Sequence, residues 1–315
     1  MRTDLKHLPL AKQRELDRVV EMLFQGFREA TQEATGRRKS ARILKVILFG
    51  SYARGDWVDA PFDANQFMSD YDILVVVNQK ELTDGARYWE ETEQRLFDAH
   101  QVEKVIRAPA NFIVHTLQQV NDGLSHGRPL FTEIAKDGVI LYQSDDRPLA
   151  KPKPKTPEQA YSMSKEYFED LFPAAMRRFA LAEISYEKGW HSDAAFDFHQ
   201  SCELLYKCVL ATLTLYVPRS TNIVFLRSMS EGLDRRLFEA WPREIRADRA
   251  MFQKLKDGYR KGKYSRHFDI SVEELEWIIG RISILGPIVH EVCSEHLAAL
   301  KISAEAPTKG SSGVL

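Results

Sequence analysis

Two carboxylates at i and i+2, Asp70 and Asp72, open the apolar run Tyr71-Asp72-Ile73-Leu74-Val75-Val76-Val77. On a strand, side chains two apart share a face, so the pair offers oxygen ligands suited to a hard divalent cation. Upstream, Ile43 to Phe49 reads as a buried strand that runs into Gly50-Ser51 and the start of a helix. Such a turn presents free backbone N–H groups and a hydroxyl, which suit phosphate. Metal ligands beside a phosphate cradle are the parts that phosphoryl or nucleotidyl transfer requires.

The elements that must position these groups follow from periodicity. Leu16, Val19, Val20, Leu23 and Phe27 recur at helical spacing, which predicts an amphipathic helix over about Leu8 to Ala34. Arg37-Arg38-Lys39 is a basic cluster before the first strand, read as a solvated helix end or a triphosphate contact. Between Gly55 and Ser69 lies an insertion carrying Asp56, Asp59 and Asp63 with Trp57, Phe62 and Phe67. It reads as a loop that packs on something, with a lid or base-stacking role open to it. Then come a helix over Asp84 to Val105, a strand over Asn111 to Leu117, a helix over Leu124 to Lys136 and a short strand over Gly138 to Tyr142.

The segment Ser144 to Pro157, with Pro148, Pro152, Pro154 and Pro157 between lysines, is a semi-rigid linker. Beyond it the pattern is almost wholly helical. Thr156-Pro157-Glu158 opens a helix to about Lys188, with Pro173 expected to kink or break it. Ser192 is the expected N-cap of the next, whose stripe is Ala195, Phe198, Cys202, Leu205, Val209 and Thr212. On another face His199, Glu203 and Lys207 form a polar i, i+4 row. Helical segments follow at Asp234 to Trp241 and Ile245 to Tyr259. A capping box, Ser271 with Glu274, opens a last helix with stripe Leu275, Ile278, Ile282, Leu285 and Val289. The expected fold class is α+β: a mixed sheet with helices over residues 1–143, a linker over 144–157, an all-α up-and-down bundle over 158–303 and a frayed tail over 304–315.

The whole-chain numbers exclude several classes. With 315 residues, 44% hydrophobic and 28% charged, the chain suits two folded domains and not a disordered one. A net charge of −1 argues against a nucleic-acid coat protein. Cys202, Cys208 and Cys293 have neither zinc nor disulfide-framework spacing, and the first two read as core residues. No apolar run approaches a membrane span and no secretory leader is visible, so a cytoplasmic location without membrane partners is expected.

Gly50-Ser51-x-Ala53-Arg54-Gly55 followed by Ser69-Asp70-x-Asp72-x-Leu74-Val75 resembles the signature of polymerase β-type nucleotidyltransferases, closest to the minimal branch that includes aminoglycoside-modifying enzymes. The resemblance implies Mg²⁺ or Mn²⁺ held by Asp70 and Asp72. It also implies a nucleoside triphosphate, ATP first, on Gly50, Ser51, Arg54 and Ser69, and transfer of a nucleoside monophosphate to a hydroxyl acceptor. The family pattern also carries a third carboxylate on the strand after the next helix. This strand offers Asn111, Phe112, Ile113, Val114 and His115 instead, with His115 read either as a stand-in ligand or base or as a structural residue. In the aminoglycoside branch a bundle residue can serve as the base, which makes Glu203 and His199 candidates.

The second half, in Ala194-Ala195-Phe196-x-x-His199-Gln200-x-x-Glu203-x-x-Tyr206-Lys207 and in Tyr259 to Ile270, resembles HEPN domains. That resemblance implies a common fusion with minimal nucleotidyltransferases and a tendency to homodimerise. It also makes Arg260 and His267 a candidate pair for metal-independent RNA cleavage. Lys261 departs from the small polar residue usual there in the ribonucleases, and the Lys263-Tyr264-Ser265 segment resembles instead the nucleotide-binding branch. The alternative functions are therefore a toxin–antitoxin or defence fusion, in which the transferase half restrains the RNase half by modifying Tyr264, and a non-catalytic nucleotide-binding regulator.

Overall fold

The computed structural model describes residues 1–32, 40–58, 68–144, 147–243, 245–264 and 268–305, with the backbone alone at 260–264. The chain is α+β and divides into two compact units, Met1–Pro154 with Pro218–Ser220, and Lys155–Val217 with Thr221–Leu315.

The first unit is built on four strands: β1 (Ile43–Phe49), β2 (Tyr71–Val77), β3 (Ala110–Thr116) and β4 (Val139–Gln143). They lie in the order β3-β2-β1-β4. β1 is antiparallel to both β2 and β4, and β2 is parallel to β3. The near-continuous burial of β1 and β2 follows from helices on both faces. One face, with Val46, Leu48, Ile73, Val75 and Phe112, forms a core with the buried stripe of α1 (Leu10–Thr31) and with Tyr88, Trp89 and Leu96 of the α3 (Gly85–Tyr88) to α4 (Glu90–Gln101) region. Against the other face lie α5 (Leu117–Ser125) and α6 (Pro129–Asp137), with Leu124, Leu130, Phe131 and Ile134 buried. The short helix α2 (Gly50–Arg54) follows β1 directly.

Two expected helices are broken. The span Asp84 to Val105 divides into α3 and α4 after a 3₁₀ turn at Lys80–Thr83, with the buried Trp89 between them donating from Nε1 to Leu82 O at 2.6 Å. The helix expected over Leu124 to Lys136 is instead the end of α5, which starts already at Leu117, followed by α6, because Gly127 takes φ +58° and Pro129 then starts a new helix at its first turn. The linker residues Ala150 and Lys153 donate their N–H groups to Asn121 Oδ1 and Leu124 O at 2.8 and 3.0 Å.

The second unit is helical: α7 (Pro157–Glu187), α8 (His191–Thr214), α9 (Ile223–Glu231), α10 (Arg246–Tyr264) and α11 (Val272–Glu305), with a 3₁₀ segment at Arg235–Ala240. α8 is the hub, packed by α7, α9, α10 and α11. Its expected stripe is buried throughout, as are the stripe of α11 and all three cysteines, which are free thiols. The Ser271–Glu274 capping box is formed, and Thr156 forms a second with Gln159. Ser192 is not the N-cap of α8, which begins one residue earlier after Trp190. Pro173 does not break α7: it leaves the carbonyl of Glu169 without its amide, and Glu169 is exposed, where water can take that place. Among the described residues no helix is long and apolar enough to cross a membrane.

Candidate active site

The site is assembled at one end of the first sheet. The register pairs Phe49 of β1 with Asp72 of β2, and Asp72 with Asn111 of β3. The residue after Phe49 is Gly50, at φ +72°, a conformation that an L side chain resists. The carboxylate of Asp72 lies against it: a Cβ added at Gly50 would stand 2.5 Å from Asp72 Oδ2. The glycine therefore serves both the turn and the close approach of the acid. Burial pushes the Asp72 carboxyl up to about 7, against the positive charge of Arg54, which acts to lower it. Arg54 itself is ion-paired to Asp56 at 3.1 Å.

Asp70 stands just before β2, and its Oδ2 accepts a hydrogen bond from Asn111 Nδ2 at 2.7 Å. Asp70, Asp72 and Asn111 are thus one cluster. Among the described residues, no group of three or more His, Cys, Asp or Glu side chains is placed to hold a metal ion. On β3 the position beside Asp72 belongs to the neutral Asn111.

Three further residues hold this arrangement, and sequence reasoning passed over them. Glu15 of α1, read only as part of an amphipathic helix, is buried. It accepts from Tyr71 Oη at 3.2 Å and from the N–H groups of Arg107 and Ala108 at 3.0 and 3.4 Å. It therefore ties the start of β2 to the approach of β3, where Tyr71 N–H also donates to Pro109 O at 2.8 Å. Arg2 and His7 meet the last carbonyls of α2, Arg2 at Ala53 O and His7 Nε2 at Tyr52 O, the latter at 2.8 Å. Helix carbonyls at a C-terminus lack intrahelical partners, so cationic or N–H groups there are favourable. A glutamate at a polar helix position gives no local sign of partners so far away in the chain.

The other expected site residues are placed as follows. Ser51 is the second residue of α2 and its carbonyl accepts from Gly55 and Asp56. Ser69 is buried and its Oγ accepts from Val58 N–H at 2.9 Å, closing the base of the intervening loop. Trp57 stacks on Tyr52, with ring centroids 5.5 Å apart. His115 pairs in register with Val76, four residues beyond Asn111 on β3, or about 13 Å at 3.3 Å per residue. It is buried edge-on to Phe131, and burial lowers its pKa to about 4. The strand therefore does not bring His115 to Asp70 and Asp72.

In the second unit the polar row on α8 is not a surface row. His199 is 1% exposed. Its Nδ1 and Nε2 face Leu255 O and Thr221 O at 3.1 and 3.2 Å, and Tyr259 stacks on its ring. Burial holds its pKa below the usual histidine range. Glu203, also buried, accepts from Lys207 Nζ at 2.6 Å and from Gln200 at 3.3 Å. Arg260 and Tyr264 fall in the last turns of α10, where only the backbone is described. His267, the cluster Arg37-Arg38-Lys39 and the loop acids Asp59 and Asp63 lie outside the described residues.

Comparison with known proteins agrees with this division of the chain. The nucleotidyltransferase domain family matches residues 32–129 and the HEPN domain family residues 168–285. Among solved structures, the chain is similar to a nucleotidyltransferase-like protein from Exiguobacterium sibiricum 255-15, at 11% identity over 91% of this chain and 81% of that one, with a TM-score of 0.27. No curated protein matches. Gly50, Arg54, Asp70, Asp72 and Asn111 lie inside the first match, and α8 lies wholly inside the second. The chain carries a nucleotidyltransferase domain followed by a HEPN domain.

Proposed function

We propose that the first unit binds a nucleoside triphosphate, ATP in our reading, with Mg²⁺ or Mn²⁺, and transfers the nucleoside monophosphate to a hydroxyl on a protein or small molecule. The observation that carries this is the close approach of Asp72 to the glycine turn of Gly50, with Asp70 tied to Asn111, the register partner of Asp72, within a domain matched by the nucleotidyltransferase family.

The donor set fits the ion. Two carboxylates on neighbouring backbone suit a hard cation that keeps its remaining positions for water and phosphate. The bare glycine leaves room beside Asp72 Oδ2 that any side chain would fill. When bound, the ion would neutralise phosphate charge and polarise the α-phosphoryl group. Asp70 and Asp72 would hold it, with the backbone of Gly50 and Ser51 turned to the outer phosphates. Arg54 adds positive charge close enough to act on Asp72. The acceptor oxygen bonds to the α-phosphorus as the bond to the bridging oxygen of pyrophosphate breaks, and the hydroxyl proton is released.

Incubation with α-labelled ATP, Mg²⁺ and a panel of hydroxyl acceptors, this protein included, tests the reading. Pyrophosphate release with transfer of label, both lost in D70N/D72N, is the expected result. Failure of the intact protein to bind any nucleoside triphosphate would remove the reading. A second reading, metal-independent RNA cleavage by the HEPN half, is favoured by the span of its family match, which includes both Arg260 and His267. It expects cleavage in EDTA that R260A and H267A abolish.

A further inference from the structure

The charge and hydrogen bonding of the carboxylate cluster carry a consequence for how many ions it takes. Asp72 and Asn111 are register partners on parallel strands, so their side chains stand on one face of the sheet. The amide orientation of Asn111 is set by its neighbour: Nδ2 donates to Asp70 Oδ2 at 2.7 Å, and a carboxylate accepts only from the NH₂ side. Asn111 thus contributes a donor to Asp70 and, at most, a neutral carbonyl to a ligand. The cluster's formal charge is that of two carboxylates, which balances one divalent cation.

A second cation beside Asp72 would find at Asn111 at most a neutral carbonyl, and would otherwise share the two carboxylates that already hold the first ion and rest on phosphate oxygens. Mg²⁺ is held by one or two carboxylates together with substrate phosphates in sites of this composition. The hydrogen bond also fixes the carboxylate plane of Asp70, as partners of metal ligands do.

We propose that Asn111 sets the divalent-ion stoichiometry of this site at one per bound nucleotide and acts as the positioning residue of Asp70. This rests on the nucleotide reading of the site. It assigns Asn111 a role toward the ion that neither its side-chain type nor the family match supplies.

The test counts ions instead of turnover. Mn²⁺ bound to the full chain is titrated by electron paramagnetic resonance in the presence of saturating α,β-methylene ATP. The wild type is expected to bind a single Mn²⁺ per nucleotide. N111D, which places a third carboxylate beside Asp72, is expected to bind a second. N111A is expected to keep one ion with affinity weakened roughly tenfold or more, the usual effect of removing a partner of a metal ligand. N111S, with a hydroxyl that can still donate to Asp70, is expected to recover part of that loss.

Two ions on the wild type, or one on a folded N111D, would overturn the inference while leaving the transferase reading in place. Nucleotide binding with no Mn²⁺ at all would overturn both the metal assignment and this inference. Should N111D fail to fold, the wild-type count and the N111A/N111S pair decide the matter without it.

Discussion

Asp72 illustrates how a buried carboxylate can weigh against the fold that carries it. Its pKa in the folded chain is about 7, against 3.8 for an unhindered aspartate. The folded state then binds more protons than the unfolded state between those values, so the contribution to stability is complete below about pH 4 and is lost as pH rises through 7. At 1.36 kcal/mol per pH unit the displacement amounts to up to ~4 kcal/mol. D72N removes the charge and keeps the shape. Without metal or nucleotide it is expected to raise the melting temperature at pH 8, with the gain falling to less than half at pH 5; thermal denaturation in EDTA measures both. A D72N protein no more stable than wild type at pH 8 would mean that the carboxylate is better solvated than its packing against Gly50 implies. G50A should act in the opposite direction. It combines a φ of +72° with a Cβ 2.5 Å from Asp72 Oδ2, so a loss of about 1–3 kcal/mol is expected, together with loss of nucleotide binding. The placement of Gly50, Asp70 and Asp72 at one end of the first sheet could be read from residue type and spacing, because a strand fixes the geometry of i and i+2. That of Asn111 could not, since its bond to Asp70 depends on strand register across 41 positions.

At the scale of elements, the site is held by α1 as well as by the strands that carry it. Glu15 accepts three hydrogen bonds, from Tyr71, Arg107 and Ala108, and so joins the entries of β2 and β3 to one buried carboxylate. E15A leaves two backbone N–H groups and a phenol buried without that partner. A loss of about 2–4 kcal/mol is expected. Hydrogen exchange should show protection falling first at Arg107 and Ala108, and E15Q should retain part of it. Uniform loss of protection across the unit would assign Glu15 to general packing instead. The helices themselves were largely legible, since the stripes of α1, α8 and α11 are simple periodic patterns. Their interruptions were less so. Pro173 looked like a break and is accommodated, because its orphaned carbonyl belongs to the exposed Glu169. Gly127 looked unremarkable within a helix and ends one, because it takes a positive φ just before Pro129. The same reasoning limits what could be read from α8. His199 and Glu203 have the spacing of a surface ion-pair row, but the helix is packed on nearly all sides, so its polar row is interior.

Across the whole molecule, the two units differ in their balance of buried titrating groups. In the first, burial lowers the pKa of His100 and His115, the latter to about 4, and raises those of Asp72 and Glu133. A histidine held below its unfolded pKa of 6.5 takes up protons preferentially in the unfolded state, so its contribution is present above pH 6.5 and lost as pH falls below it. The raised carboxyls act in the reverse sense over the same range. Between pH 7.5 and 5 the shifts of His115 and Asp72 each amount to roughly 2 kcal/mol and oppose one another. In the second unit burial lowers the pKa of His199 and of His296, and no raised carboxyl in that unit offsets them among the described residues. His199 is enclosed by Leu255 O, Thr221 O and the ring of Tyr259, with Glu203 at 3.8 Å; the two carbonyls and Glu203 favour the charged ring, and burial outweighs them. The helical unit should therefore be the more acid-sensitive half. Hydrogen exchange followed by mass spectrometry at pH 7.5 and 5, corrected for intrinsic rates, resolves the units by segment. Protection is expected to fall in α8 and α10 while β1 and β2 change little. H199Q should lower stability at neutral pH by about 1–3 kcal/mol, because it gives up the buried ring and its stacking on Tyr259, and should flatten the pH response of α8 and α10. An equal fall in both units, or an unchanged response in H199Q, would place the acid sensitivity elsewhere than in this histidine.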